Sequence, residues 1–485
     1  MSTGIRPTLR LLPQSEMDVI VGEACRILDK AGVLVENSEA RQLLLEAGSA
    51  ERDGRVCIPE KAVRWALGQV PTRILVFDRD GERAMDLGGD RVHFDPGSAA
   101  IHIFDTKLGK RREVTTRDAV DLVRLVESLP NYAAQSTALA PGDIPKDAAD
   151  RYRLYLVLKN GRKPVVTGTF RKDGFGPMRD MLVAVRGSEE ELRRSPLAIF
   201  DCCPSPPLKW SDLTCQALLD CARAGIPAEL VSMPLTGATS PVTLREAVVQ
   251  HCAENLSGIA IHQLAAPGAP IIYGGSPAAF DMRHGTTPMG AVETMMIDVA
   301  YAQVGKHLGV PTHAYMALSD SKCPDYQAGL ETGIGAVMAA LAGINVVSGP
   351  GMLDFEMCQS FEKILLDHDA CSMALRLVRG IEKREGDAVE LIHAVVQASE
   401  FLSHPHTRKH WREELSVPSR MISRETYGDW ERNGAQFAHQ VASAEVARIL
   451  SKPAIQGLPP EVCSTLDRIM LAEAKRYGAS GLPAA

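Results

Sequence analysis

The sequence predicts an α/β protein built on a (β/α)8 TIM barrel, with an N-terminal α+β cap and a C-terminal helical extension. Three observations carry that prediction. Between residues 131 and 406 a short apolar strand, a loop and a helix recur, and eight such rounds over roughly 275 residues match the size and alternation of the barrel. Within this region the stretch 311–354 reads as strand, polar loop, Ala/Gly-rich helix, second strand and Gly-Pro-Gly loop. Only a crossover brings a chain back in the same direction, so this stretch is a parallel βαβ unit. Finally, no GxGxxG follows any strand, and open doubly wound sheets seldom keep this rhythm for eight rounds.

The elements follow in order. Residues 15–30 carry apolar side chains at helical spacing and stop before Gly32, and helices are also expected at 38–47 and 59–69. From 72 to 114 short alternating runs are broken by Asp-Gly and Gly-Gly, which predicts antiparallel hairpins. With the helix 118–128, these complete a cap over 1–130. The barrel strands are expected at 134–140, 164–170, 197–202, 228–233, 270–273, 312–316, 344–347 and 400–403. Helices are expected at 212–224, 244–263, 291–307, 326–342 and 361–379. The barrel then covers 131–406, and a charged linker (407–424) and helices at 435–450 and 460–477 form the extension 407–485.

Composition limits the function. The 485 residues are 45% hydrophobic and 23% charged, as in an ordinary soluble globular protein, and the formal charge of -7 without a dense basic cluster argues against nucleic acid as partner. No run of eighteen apolar residues and no signal-peptide core is present, so no membrane partner and a cytoplasmic location are expected. The eleven cysteines include no CxxC pair and are expected to be reduced, buried thiols rather than metal ligands.

In a (β/α)8 barrel the residues just after each strand share one rim, where chemistry gathers. Here that rim holds Phe170, Asp201, Tyr273, Tyr315, Asp320, Asp354, Phe355, His404 and His406. Ring faces and carboxylates together bind a quaternary ammonium group, and imidazoles can donate to a substrate carboxylate. Each residue also has a plainer role. Phe170 and Tyr273 stand where aromatics commonly pack, Asp201 and Asp320 stand where a carboxylate caps the next helix or turn, and His404 and His406 would face opposite ways in an extended segment.

Several ordered motifs go further: SDSKCPDYQAGLE (319–331), GPGMLD (349–354) running into SFEKILLDHDACSMALRLVRGI, CPSPPLKW (203–210), LVSMPLTGATSPVTL (230–244), FDMRHGTTPMG (280–290) and SRETYGDWERNGA (423–435). Together they resemble the trimethylamine methyltransferase family of corrinoid-dependent enzymes over essentially the whole chain. The resemblance implies methyl transfer from a methylated amine to the Co(I) form of a corrinoid (cobalamin) carried by a separate protein, with no tightly bound cofactor in this chain. Archaeal trimethylamine members carry pyrrolysine shortly before the SD(A/S)KxPDxQAG motif. Ala317 stands there in this sequence, so the chain is more similar to the non-pyrrolysine branch that includes glycine betaine methyltransferase.

That difference has a chemical consequence. A tertiary amine must be protonated or captured before it can leave, whereas a quaternary ammonium already carries the charge and departs as a neutral tertiary amine. No covalent catalyst is then needed, only positioning and exclusion of water. The expected substrate is betaine-like, with Phe170, Tyr273, Tyr315 and Phe355 as aromatic walls, Asp201 or Asp320 adding charge, and His404 and His406 receiving the substrate carboxylate. Association into a homo-oligomer is open. Two other readings remain: a zinc-thiolate methyltransferase using Cys202, Cys203 or Cys323, and a non-catalytic betaine-binding protein.

Overall fold

The computed structural model describes residues 5–384, 386–396 and 400–483. Among them, eight short parallel strands form a ring. Gln135–Ser136, Val165–Gly168, Ala198–Cys202, Ala228–Leu230 and Ile271–Ile272 pair in that order. A parallel bridge from Tyr273 to Thr312 leads on to His313–Ala314, which pairs with Val346–Ser348, and that strand pairs with His93–Asp95. A second bridge, from Phe94 to Tyr132, returns to the start and closes the (β/α)8 barrel.

Two strand assignments change. The eighth barrel strand is His93–Asp95, inside the 1–130 segment, and not 400–403, which forms a turn. Three residues flanked by hairpins give too short a period to be told from the hairpins themselves. At 400–403, Phe401 and Leu402 are exposed, whereas a barrel strand is buried on both faces.

One of the expected hairpins, Ile74–Phe77 with Arg83–Leu87, closes the barrel floor. Its Ile74, Val76, Met85 and Leu87 pack against Ala134, Val166, Ile199, Ile272 and Val346 from the strands. Met85→Ala should therefore leave a cavity in the floor and lower unfolding free energy by about 3 kcal/mol, read from the denaturant midpoint at unchanged slope.

The helices start and stop where their caps dictate. Ser211, Asp325 and Ser360 each accept a backbone N–H at the start of a helix, and Gly225 and Gly343 end helices at φ 70° and 69°, a left-handed conformation glycine adopts without strain. Leu244–Ala265 is covered by Gln14–Lys30 from the N-terminal region. Helices unassigned in the sequence, Ala149–Asn160 and Phe175–Arg186, complete the barrel wall and carry the C-terminal helix Pro460–Arg476 on their outer side. Ala438–Leu450 lies on Phe361–Val378. Among the described residues no helix is long and apolar enough to cross a membrane.

Candidate active site

The floor cluster fixes which residues face the barrel axis. Side chains alternate along a strand, so if Val166, Ile199, Ile272 and Val346 point inward, Gly168, Asp201, Gly274 and Ser348 do too, one layer nearer the C-terminal rim. Parallel register places Glu229 beside Asp201 and Asp95 beside Ser348, while His313 sits beside Val346. The floor is thus apolar and the layer above it is dominated by carboxyls.

Those carboxyls are buried and poorly satisfied. Tyr315 donates its hydroxyl to Asp201 Oδ2 at 3.3 Å, and Ser348 donates to Asp95 at 2.9 Å. Asp201 and Glu229 lie within hydrogen-bond reach of each other, and apart from that contact Asp201 Oδ1, both Glu229 oxygens and Glu356 Oε1 are shut off from solvent with no N–H or O–H donor among the described residues. Burial pushes Asp201 up to about 6 and Glu229 well above the carboxylate range, the Asp201 charge adding to the latter. Burial likewise raises Asp95 and Glu356. Facing carboxyls in a dry site keep a proton between them. His313 Nε2 lies 3.2 Å from Glu229 Oε1, yet burial drives the imidazole down to about 3, so it is neutral and adds no compensating charge.

Glu356 is delivered by a strained turn. Asp354, Phe355 and Glu356 have φ of 52°, 57° and 64°, three consecutive non-glycine residues in the left-handed region, which costs free energy at each position. The turn is held by Arg111 on Asp354 at 2.5 Å, by Lys322 on Asp354 at 3.2 Å, and by the Lys322 ammonium 3.9 Å over the Phe355 ring. Its flanks, Met352–Leu353 and Cys358–Gln359, form a small sheet with the second hairpin, His102–Asp105 and Lys110–Glu113.

Of the residues expected at the site, the structure brings Asp201 and Tyr315 together, with Phe355 next to Glu356. Phe170 stands just beyond Val165–Gly168 with the Arg153 guanidinium 4.2 Å from its ring. Asp320 acts as a brace: it accepts the Met289 and Gly290 N–H groups at 2.9 and 2.8 Å, tying 280–290 to the SDSK loop, and burial raises it to about 6.

Three residues fall elsewhere. Tyr273 has the opposite strand parity and packs outward near His251 and Tyr301. His404 and His406 belong to the start of helix Pro405–Glu414, where His404 accepts the His406 N–H and their rings neighbour Phe401 and His410. The other end of that helix hangs from Arg376, close to the end of Phe361–Val378 remote from the rim. Proline at the first helical turn converted the expected extended segment into a helix start.

Glu229, His313, Asp95, Glu356 and Arg153 were missed. A lone carboxylate inside the apolar run PAELVSM and a lone imidazole inside PTHAYM were the available signals. The cysteines do not converge. Cys202 faces outward and interacts with Cys221, while Cys323 lies in the SDSK loop. The Cys221 hydrogen bond and burial raise the Cys202 thiol, and burial raises Cys203, so both stay protonated. Among the described residues no group of three His, Cys, Asp or Glu is placed to hold a metal ion.

Comparison with known proteins agrees with this architecture. The trimethylamine methyltransferase (MTTB) family model matches residues 2–477. Trimethylamine methyltransferase MttB of Desulfitobacterium hafniense (strain DSM 10664 / DCB-2) is 30% identical over 466 residues, spanning 96% of this chain and 94% of the relative. MttB of Methanosarcina barkeri is 32% identical over 472 residues, spanning 95% and 94%. Glycine betaine methyltransferase of Desulfitobacterium hafniense (strain Y51) is 28% identical over 475 residues, spanning 97% and 98%. The crystal structure of the Methanosarcina barkeri monomethylamine methyltransferase MtmB shares the fold, with a TM-score of 0.50 at 11% identity over 98% of this chain and 96% of that one. A closed barrel, a carboxyl-rich interior at its C-terminal end and a family match spanning nearly the whole length agree: the chain belongs to the trimethylamine methyltransferase family of enzymes.

Proposed function

We propose that this methyltransferase moves a methyl group from a quaternary amine, betaine-like in character, to the Co(I) corrinoid of a partner protein in the cytoplasm. The observation that carries the reading is the buried group of carboxyls Asp95, Asp201, Glu229 and Glu356, in which oxygens of Asp201, Glu229 and Glu356 have no N–H or O–H donor among the described residues while the Tyr315 hydroxyl reaches Asp201. Asp201, raised only to about 6, is ionised at neutral pH, and a carboxylate in a water-excluded site calls for a cation. A quaternary ammonium brings charge without N–H donors, which suits oxygens that need a counter-ion and a ring face that offers cation–π contact.

Ala317 supports the same reading. It lies two residues beyond Tyr315, buried, at φ 61°, so close to the next helix that a Cβ on Gly335 would come within 2.9 Å of its N. A methyl side chain here offers no covalent handle for a free tertiary amine. The chain's own part is then to hold the ammonium by charge, orient one N-methyl group and exclude water, while the electron pair of the breaking C–N bond stays on nitrogen. Cys202 turns outward to Cys221, away from the carboxyl layer, which weighs against the zinc-thiolate reading.

The test is methyl transfer to free cobalamin poised as Co(I), with glycine betaine, proline betaine, carnitine, γ-butyrobetaine, choline and trimethylamine as donors. Methylcobalamin should accumulate with at least one quaternary amine and not with trimethylamine. No signal above the enzyme-free control for any quaternary donor rejects the proposal, and saturable binding without transfer to any corrinoid protein favours a betaine-binding protein instead.

A further inference from the structure

Arg153 is a buried cation with no carboxylate in salt-bridge contact among the described residues, Asp150 and Asp201 acting on it only through space. It belongs to Ala149–Asn160, a helix whose residues 149–158 are all buried, and is itself 2% exposed. Its neighbour Arg151 shows what a buried arginine ordinarily has: Asp150, Asp173 and Glu473, each at 3.0 Å. Among the described residues no carboxylate pairs with Arg153 in this way. Its Nη1 donates to the Thr137 carbonyl at 2.8 Å, just past the strand Gln135–Ser136, and its guanidinium stacks on Phe170, just past Val165–Gly168. Its Nε has no acceptor.

The position matters as much as the missing partner. Thr137 and Phe170 place the guanidinium at the rim between two adjacent strand ends, in the electrostatic field of Asp150, Asp201 and Tyr315. Burial lowers its pKa only to about 10, so it stays charged at neutral pH. The rim is therefore bipolar, with carboxyl oxygens that lack a donor and, on the strand end neighbouring Asp201, a guanidinium holding an idle N–H. A buried donor without an acceptor is costly, and the planar guanidinium fork matches a carboxylate better than any other side chain. Stacking on Phe170 holds that fork in one plane.

We propose that Arg153 receives the anionic group of the amine substrate, so that the substrate is a zwitterion whose ammonium lies at Asp201, Glu229 and Glu356 and whose carboxylate lies at Arg153. This rests on the quaternary-amine reading and narrows it: choline, with the same ammonium head and a hydroxyl in place of the carboxylate, is a poor ligand. It also gives the carboxylate a partner on the rim, the role expected of His404 and His406.

The experiment is calorimetric titration of the purified full-length chain with glycine betaine, γ-butyrobetaine, carnitine and proline betaine against choline and tetramethylammonium, paired with the methyl-transfer assay. The wild-type protein should bind the best zwitterion at least tenfold more tightly than choline. Arg153→Gln should weaken that zwitterion about a hundredfold, as a rise in KM with kcat within threefold, and leave choline within threefold. Arg153→Lys, which keeps the charge and loses the fork, should recover part of the loss. Should Arg153→Gln fail to fold, the wild-type ratio and the lysine variant decide. Equal wild-type affinity for choline and the zwitterions, or unchanged zwitterion binding in folded Arg153→Gln, overturns the role of Arg153 while transfer from choline leaves the quaternary-amine reading standing. Absence of binding and transfer with every quaternary amine removes both.

Discussion

Asp201→Asn is expected to lower kcat/KM for the quaternary amine at least a hundredfold while raising the stability of the ligand-free protein. Asparagine keeps the size of the side chain and an acceptor for the Tyr315 hydroxyl, so the substitution isolates the charge. A unit charge about 4 Å from a cation is worth about 4 kcal/mol at an effective dielectric of 20, hence the size of the loss. The same carboxyl is a burden without ligand, because burial holds it at about 6 against about 3.9 in the unfolded chain. The sign follows from proton uptake. Between those values the native state holds more protons than the unfolded one, so the wild-type chain loses stability as pH rises through the window and carries the full penalty above it. The advantage of Asp201→Asn should be largest above pH 6 and vanish below about pH 4. Paired thermal melts across that range read it directly, and a variant advantage that grows on acidification would contradict the assignment.

Lys363→Met should destabilise the protein by about 4 kcal/mol, the largest effect expected of a substitution outside the barrel interior. Lys363 is almost fully buried, 2.5 Å from Asp367 and 2.7 Å from the Thr332 hydroxyl. Asp367 in turn accepts the Gly351 N–H at 2.7 Å. Removing the ammonium leaves Asp367 as an uncompensated buried charge in contact with the Gly-Pro-Gly loop. That loop has no slack. A Cβ on Gly349 would stand 2.1 Å from the Met316 carbonyl, and Gly351, at φ 86°, has Gln359 Oε1 2.0 Å from where its Cβ would be. The expected result is a lower denaturation midpoint together with reduced methyl transfer. Lys363→Met with Asp367→Leu should recover stability, because it is the stranded carboxylate that costs, and a double variant no more stable than the single one would refute this account.

How much was legible in the sequence depended on which physical signal a residue carries. Asp201 and Tyr315 follow clear apolar runs at strand ends, so their place on the rim is readable from position alone. Tyr273 meets the same criterion yet faces outward, because a strand of two or three residues does not reveal which parity faces the axis, and only the floor packing of Ile272 settles that. Glu229 and His313 lie inside runs that read as core, where a polar side chain is indistinguishable from a satisfied internal one until its neighbours are known. Arg153 comes from a helix, and nothing in its local sequence indicates that it reaches over the rim to Thr137 and Phe170.

The barrel, its rhythm of strands and helices, and the family motifs that connect them are written in the order of residues, because hydrophobic period, caps and loop composition are local properties of the chain. Closure by His93–Asp95, the inward parity of each strand and the meeting of Asp95, Asp201, Glu229, Glu356 and Arg153 were decided only by the tertiary structure. Those depend on contacts between residues far apart in the chain, and the electrostatic character of the site exists only once burial has removed the water that would otherwise mask every one of its charges.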